Sequence, residues 1–461
     1  MTGSLLGDLG QIVERLDEQG RLLRITSEVD PVHELAGIAA QLEAQPSALL
    51  FEKVKGHDIP VFVGLYWSRD LLAGLFDLPE RGLPAFVSSS IDNWRKRPVP
   101  PVVKSTGPVL EVSEPTVDLT KLPIPVHALG DGGPYIDAGV VIAHDPETGV
   151  RNASIQRFML VDRQTLAINI DAGRHLETYL AKAAEKGRAL PFTLNIGVGP
   201  GLHFAAATPA EAAPIDTDEL GIASEFEGAP VELVAGTCSP VEMVAKAMIA
   251  LECEIVPGEL HPEGPFAEVT GFYAKVDRRP LVRVLRVHHR RRPIFHTLLS
   301  GAEVWNSVGL LGEANVLALV QRQVPGVSDV YFSHGGCGFY HAIVQMRPVR
   351  KGWSKQAIMA TFAAFPPLKM VTIVDEDVDI RNARDVEWAM TNRLDPVTGI
   401  VRIEDCFGHG LNPGFPDYLG CKVGFDCTRP FPYDQRDDRT SYKPVDLSRH
   451  LLLRRRNTGG A

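Results

Sequence analysis

Short apolar runs, broken repeatedly by Gly and Pro, fill the stretch from Val109 to about Arg286, and they restrict the fold more than any other feature of the chain. The runs cover residues 138–143, 154–161, 166–170, 192–198, 231–233 and 280–287. Evenly spaced short strands without intervening helices predict a β-barrel here rather than a doubly wound parallel sheet. Two segments carry helical spacing instead, 174–186 and 241–251.

The flanks read differently. Residues 9–16 place apolar side chains at helical intervals and stop at Gly20. Residues 21–29 then read as a strand, and Asp30-Pro31 supplies a cap and a helix-starting proline for 33–43. Strands at 49–54 and 59–65 surround the turn Lys55-Gly56-His57-Asp58. This defines an N-terminal α/β region, 1–108, whose last part (95–108) is a proline-rich, basic connection. Beyond the barrel, 303–323 predicts one long helix within a connector, 301–325. Strand, helix, strand and helix follow at 327–332, 354–364, 370–374 and 385–392, which indicates a C-terminal α/β domain, 326–445. Residues 446–461 form a tail. The fold class is thus α/β (α+β), and 461 residues suffice for several domains around a large core.

Composition excludes several functions. The 44% hydrophobic and 23% charged content are those of an ordinary soluble protein. A formal charge of −10 argues against general nucleic-acid binding, and the basic run His288-His289-Arg290-Arg291-Arg292 reads as a solvated face. None of the 6 cysteines forms a CxxC pair, so neither a disulfide framework nor a zinc site is expected. Residues 1–12 include Asp8 and lack the basic start of a signal peptide. No uncharged stretch nears the roughly 18 residues that span a membrane, so a cytoplasmic location is expected. No P-loop, dinucleotide fingerprint or G-x-S-x-G elbow is present.

The chemistry concentrates in three short motifs. In Pro262-Glu263-Gly264-Pro265-Phe266-Ala267-Glu268-Val269-Thr270-Gly271, two glutamates flank a Gly-Pro break, so they sit on an irregular turn and not on a helix face. Upstream lie Asn152-Ala153-Ser154-Ile155-Gln156-Arg157 and Arg174-His175. Together they offer a guanidinium, two carboxylates for proton handling, and an Asn/His/Glu set suited to a hard divalent metal.

With further segments in the same order, the chain resembles the UbiD family of decarboxylases, which use prenylated FMN. The additional segments are Ala48 to Gly56, Leu122-Pro123-Ile124-Pro125, Asp131-Gly132-Gly133-Pro134-Tyr135 and Val374 to Asp379. The resemblance implies a split β-barrel of the flavin-reductase type over 109–300 and oligomer contacts in the C-terminal domain. It implies Glu268 as proton donor, with Glu263 between it and Arg157. Asn152, His175 and Glu219 match the metal ligands, for Mn²⁺ or a similar divalent ion, with K⁺ as a further candidate ion. Ser154, Ile155, Gln156 and Arg157 would face the flavin. Arg174 matches a cofactor- or substrate-lining position, and Lys369 is a candidate phosphate contact. The acidic run Asp375 to Asp379 reads as structural, and His334-Gly335-Gly336-Cys337-Gly338 as a glycine-rich turn.

The expected activity is reversible, non-oxidative decarboxylation of an α,β-unsaturated or (hetero)aromatic carboxylic acid, releasing carbon dioxide. The alternatives are the same enzyme acting mainly as a carboxylase, or a non-catalytic flavin-binding subunit. A flavin prenyltransferase would supply the cofactor, and a homodimer or higher homo-oligomer is expected. His296, Thr297 and Leu298, with Phe425 to Cys427, are candidates for the substrate pocket. A pocket containing Arg174 and His296 would accept a second polar group.

Overall fold

A computed structural model of the chain describes residues 6–171, 173–209 and 212–446. The tail expected at 446–461 falls, from 447 on, outside the described residues. Asp8 caps the helix Leu9–Glu18, accepting from the Gly10 N–H at 2.9 Å, and the helix buries Leu9, Ile12, Val13 and Leu16 along one face. Leu22–Val29 pairs in parallel with Ala48–Val54, and Val61–Val63 returns antiparallel. The fourth strand of this sheet is Phe295–His296, from far along the chain.

The central sheet has 9 strands. Its main path runs Tyr135–Ile136, Phe158–Leu160, Thr165–Ile168, Asp277–His289, Ile249–Glu263, Leu190–Ile196, Val140–His144, Arg151–Ile155. Phe158–Leu160 is second on this path and Arg151–Ile155 is last, yet only Gln156 and Arg157 separate them in the chain. Three Cα steps reach at most about 11 Å. In a flat sheet six strand spacings of about 4.8 Å would hold these strands roughly 29 Å apart. The sheet must therefore curl until its ends nearly meet, which makes it a half-barrel. Arg157 lies on the seam.

The segment 241–251, expected as a helix, is extended. Met243–Val244 is a short strand, and Ile249 begins a long one that pairs with Leu190–Ile196 on one side and Asp277–His289 on the other. A strand buried on both faces is apolar almost continuously, and its periodicity then resembles that of a buried helix. Helices that went unread include Arg69–Leu75, Leu83–Lys96, Pro200–Ala206 and Leu220–Glu227. Only the second part of the basic run is a solvated face: Arg291 and Arg292 are exposed. His288 is fully buried against Glu252, His289 faces Glu114, and Arg290 pairs with Asp8, acidic partners distant in sequence.

The expected single helix at 303–323 is interrupted. Ala302–Val304 leads into a π turn, Trp305–Gly309, before Leu310–Gln323 continues. The turn packs on the glycine-rich segment 334–338. A Cβ on Gly309 would lie 2.2 Å from the Gly338 carbonyl oxygen, and Gly338 adopts φ +70° with Trp305 against it. In the C-terminal sheet the strands are ordered Val327–Phe332, His341–Met346, Met370–Val374, Leu419–Cys427, Ile400–Phe407. Asp375, at the end of its strand, is buried and accepts from Arg393 at 3.0 Å.

One buried network ties these parts together. Arg69 donates to both carboxylate oxygens of Glu313 at 2.9 Å and to Asn306 Oδ1 at 2.9 Å. Glu313 also accepts from the Phe332 N–H at 3.0 Å. The helix Arg69–Leu75, the connector and the C-terminal sheet thus share one ion pair. Among the described residues, no helix is long and apolar enough to cross a membrane.

Candidate active site

A cavity of about 350 Å³ opens beside the seam of the half-barrel, within the roughly 300–1,000 Å³ typical of small-molecule and cofactor sites. One wall is the edge strand Arg151–Ile155 with Gln156 and Arg157; another is the turn carrying Phe266 and Glu268. The π turn contributes Ser307 and Val308, and Phe339, His409 and Leu411 arrive from the C-terminal part.

The long antiparallel pair Ile249–Glu263 and Asp277–His289 reaches past the rest of the sheet, placing Glu263 at its tip. From there a small hairpin, Phe266–Ala267 with Tyr273–Ala274, folds back and carries Glu268 in its loop. The Asp131-Gly132-Gly133 motif staples this hairpin. Asp131 accepts from the Ala267 N–H at 2.8 Å, and the Gly132 N–H donates to the Pro265 carbonyl at 2.8 Å. A Cβ on Gly132 would meet the Gly264 carbonyl oxygen at 2.2 Å, whereas one on Gly133 would touch only Met159, at 3.7 Å. Gly132→Ala should therefore cost about 1–3 kcal/mol of stability through overpacking against rigid backbone, and Gly133→Ala close to nothing. Urea denaturation midpoints of the two variants check this; equal midpoints would remove the staple argument.

Arg157 joins the two glutamates. Its Nε and Nη2 donate to the carboxylate of Glu263 at 2.9 and 3.2 Å, and its Nη1 donates to Glu268 Oε1. The expected order, with Glu263 in the middle, is thus replaced by one with Arg157 in the middle. A planar guanidinium has donors on several edges and serves both carboxylates at once. Phe266 lies under it, 4.9 Å from ring centroid to Cζ. Burial raises the Glu268 carboxyl above its ordinary range, partly countered by Arg157. Burial alone would lower the Arg157 pKa, but the contacts with Glu263 and Glu268 raise it, so it stays charged.

Asn152, His175 and Glu219 converge on another wall of the cavity. Asn152 Nδ2 donates to Glu219 Oε1 at 2.9 Å, and His175 Nδ1 lies 3.3 Å from the same oxygen. His175 begins the helix His175–Glu185, and Glu219 sits at the start of Leu220–Glu227. Burial raises the Glu219 carboxyl. Asn152 Oδ1 and Ser154 Oγ are buried with no hydrogen-bond partner. Among the described residues no group of three or more His, Cys, Asp or Glu side chains could hold a metal; this trio is held together with an amide as its third member.

Other expected residues lie elsewhere. His296 is fully buried among Phe62, Tyr66 and His203, because its strand joins the N-terminal sheet. Thr297 is off the wall too, donating to Asp137 Oδ1 at 2.9 Å, while Leu298 does reach the cavity. Phe425 and Cys427 belong to an inner strand of the C-terminal sheet, with Cys427 in its core. Lys369 points toward the Phe415 ring, 5.9 Å away, and is not on the cavity wall. Residues that sequence reading missed include Ser307, Phe339, His409 and Leu411. They come from a π turn and two loops, where no periodicity or motif marks them.

Comparison with known proteins agrees with this architecture throughout its length. Family models of the 3-octaprenyl-4-hydroxybenzoate carboxy-lyase match residues 13–89 (N-terminal domain), 101–303 (Rift-related domain) and 306–427 (C-terminal domain). A protein of Rhodospirillum rubrum described as uncharacterised, from the cooM 5′ region, is 71% identical, covering 96% of both chains. The anhydromevalonate phosphate decarboxylase of Methanothermobacter thermautotrophicus is 36% identical over 92% of this chain and 98% of its own. The structure of HmfF from Pelotomaculum thermopropionicum, a UbiD-class enzyme in complex with FMN, superposes with TM-score 0.92 at 35% identity, covering 96% of this chain and 100% of that one. Fold and site thus define a carboxy-lyase. The chain belongs to the UbiD family.

Proposed function

We propose that this protein is a prenylated-FMN-dependent, reversible, non-oxidative decarboxylase of an α,β-unsaturated or (hetero)aromatic carboxylic acid. The observation that carries the reading is Arg157, shared between Glu263 and Glu268 on the wall of the cavity. Solved relatives support it: HmfF has been seen with FMN and with prFMN, and a relative from Enterobacter cloacae is a 3,4-dihydroxybenzoic acid decarboxylase.

The residues present fit such a cofactor. The strand Arg151–Ile155 is at the edge of its sheet, where the Ala153 N–H donates to Glu219 Oε2 at 3.2 Å and Ser154 Oγ is left unpartnered for a polar ligand. Ile155 and Gln156 continue that wall. Asn152, His175 and Glu219 would hold Mn²⁺ or a similar ion against the flavin phosphate, since a hard cation favours oxygen donors and the orphaned Asn152 Oδ1 needs one. When bound, the prenylated flavin supplies a temporary electron sink, which no side chain can offer.

The chain's own residues manage charge and protons. Burial keeps Glu268 protonated to a higher pH than an ordinary glutamate, so it can deliver a proton to the carbon that has lost carbon dioxide. One of its oxygens keeps accepting from Arg157 while the other, protonated, is free to face the cavity. Arg157 then stabilises the carboxylate that remains. Glu263, held in a two-point contact, keeps the guanidinium in place. In the reverse direction Glu268 takes the proton back.

The test is co-expression with a flavin prenyltransferase, mass analysis of the released cofactor, and carbon dioxide release from cinnamic, benzoic, furoic, pyrrole and indole acids. Recovery of only a nicotinamide or PLP cofactor would end the reading. His175→Ala or Glu219→Ala should lose bound flavin, because phosphate anchoring depends on the ion. Full flavin occupancy in both variants after chelator treatment would show that the trio holds no metal. In solution a homodimer or larger homo-oligomer is expected, as light scattering will show.

A further inference from the structure

The cavity contains two cations of different standing. Arg157 is fully engaged by Glu263 and Glu268. Arg174 also lines the cavity, is exposed to it, and has no side-chain hydrogen bond or ion pair among the described residues. Its place in the chain is held through its backbone: its N–H donates to the Asp171 carbonyl at 3.4 Å, and its carbonyl accepts from the Thr178 N–H at 3.2 Å and the Thr178 hydroxyl at 3.5 Å. The guanidinium is therefore spare.

A second donor faces the same corner from another part of the chain. His409 is on the wall, its ring edge-on to Phe339 at 5.7 Å. The Leu411 N–H donates to His409 Nδ1 at 3.3 Å. With Nδ1 accepting, the neutral ring carries its proton on Nε2 and donates from there. Nε2 has no partner among the described residues. Burial and the charge of Arg174 both hold His409 below its ordinary pKa, while Asp171 opposes them. Asp171, Arg174, His409 and the proton donor Glu268 all line this one cavity of about 350 Å³. Asp171 makes no ion pair with Arg174 but tempers the local charge. Recognition must then come from directed hydrogen bonds, which a two-oxygen anion accepts well from a guanidinium fork.

We infer that Arg174 and His409 form a subsite for a second oxyanion of the substrate, so that the acid decarboxylated here carries a carboxylate or phosphate besides the one it loses. This rests on the decarboxylase reading of the site. Arg174 and His409 set selectivity among acids, and the chemistry stays with Glu268.

The test uses flavin-loaded protein carrying Glu268→Gln, in which ligands bind without turnover, and isothermal titration. The probes are cinnamate, 4-carboxycinnamate and 4-phosphooxycinnamate, with pyrrole-2-carboxylate and pyrrole-2,5-dicarboxylate as a smaller pair. At least one doubly anionic probe should bind roughly 10- to 100-fold tighter than its monoacid, the range for one or two charge-assisted hydrogen bonds. Which probe gains more tells carboxylate from phosphate. Adding Arg174→Gln should bring the ratio close to one, Arg174→Lys should restore part of it, and His409→Phe should lower it less. Equal affinities with Arg174 intact would overturn the inference. So would loss of flavin, rather than of selectivity, in Arg174→Gln, since Arg174 would then serve the cofactor phosphate. If the ratio appears but wild-type protein releases carbon dioxide from none of these acids, the decarboxylase reading fails and the anion subsite stands.

Discussion

Glu268→Gln should reduce decarboxylation roughly 10²- to 10⁴-fold, the usual cost of losing a positioned general acid, while the flavin stays bound. Glutamine keeps the size of the side chain and an oxygen to accept from Arg157, so the turn 266–274 has no reason to move. What disappears is the titratable proton. The pH profile gives a second signature. Burial raises the Glu268 pKa in the folded protein, so the acid form persists above the ordinary glutamate range and decarboxylation should fall as pH rises through that raised value. The variant should lack this falling limb. Measurements should be made on samples matched for flavin content, together with deuterium exchange into product. Turnover near that of the wild type would mean that another group donates the proton. Glu263→Gln should act differently: it weakens the two-point hold on Arg157 and so should disturb both partners at once.

The largest loss of stability is expected from Arg69→Ala, at about 3–5 kcal/mol. Among the described residues, the change leaves fully buried Glu313 with only the Phe332 N–H as a remaining hydrogen-bond partner, and Asn306 Oδ1 without its donor. An uncompensated buried carboxylate is much more costly than the pair is stabilising. The double variant Arg69→Met with Glu313→Met should therefore recover much of the loss, because it removes both charges and keeps the volume. Chemical denaturation of the three proteins decides the point. If the double variant is as unstable as Arg69→Ala, the cost comes from packing and not from the stranded charge. Because the network joins the connector to both flanking parts, Arg69→Ala should also loosen the π turn that brings Ser307 and Val308 to the cavity.

Local patterns made much of this protein legible. Periodicity marked Leu9–Glu18, His175–Glu185 and Ala383–Asn392, each an amphipathic helix whose apolar face is visible within a few turns. The same reasoning failed at 241–251, where burial on both faces erased the alternation that distinguishes a strand. It also failed at Trp305–Gly309, where the helix widens because Gly309 and Gly338 allow two backbones to meet, a contact between residues far apart in sequence.

The site divides in the same way. Arg157, Glu263, Glu268, Asn152 and His175 lie in short motifs whose residue types already indicate the chemistry, and these five line one cavity or pair directly with its walls. The second-anion pocket did not follow from the chain. Sequence reading paired Arg174 with His296, yet His296 turned inward when its strand joined the N-terminal sheet, and His409 took the place facing the cavity. The sequence by itself determined which functional groups exist and which short turns carry them, since residue type and local spacing depend only on neighbours along the chain. Only the tertiary structure decided that Arg157 stands between the two glutamates and that His409 shares a cavity with Arg174. Those relations depend on how far a nine-stranded sheet curls and where a distant loop lands, which long-range packing sets.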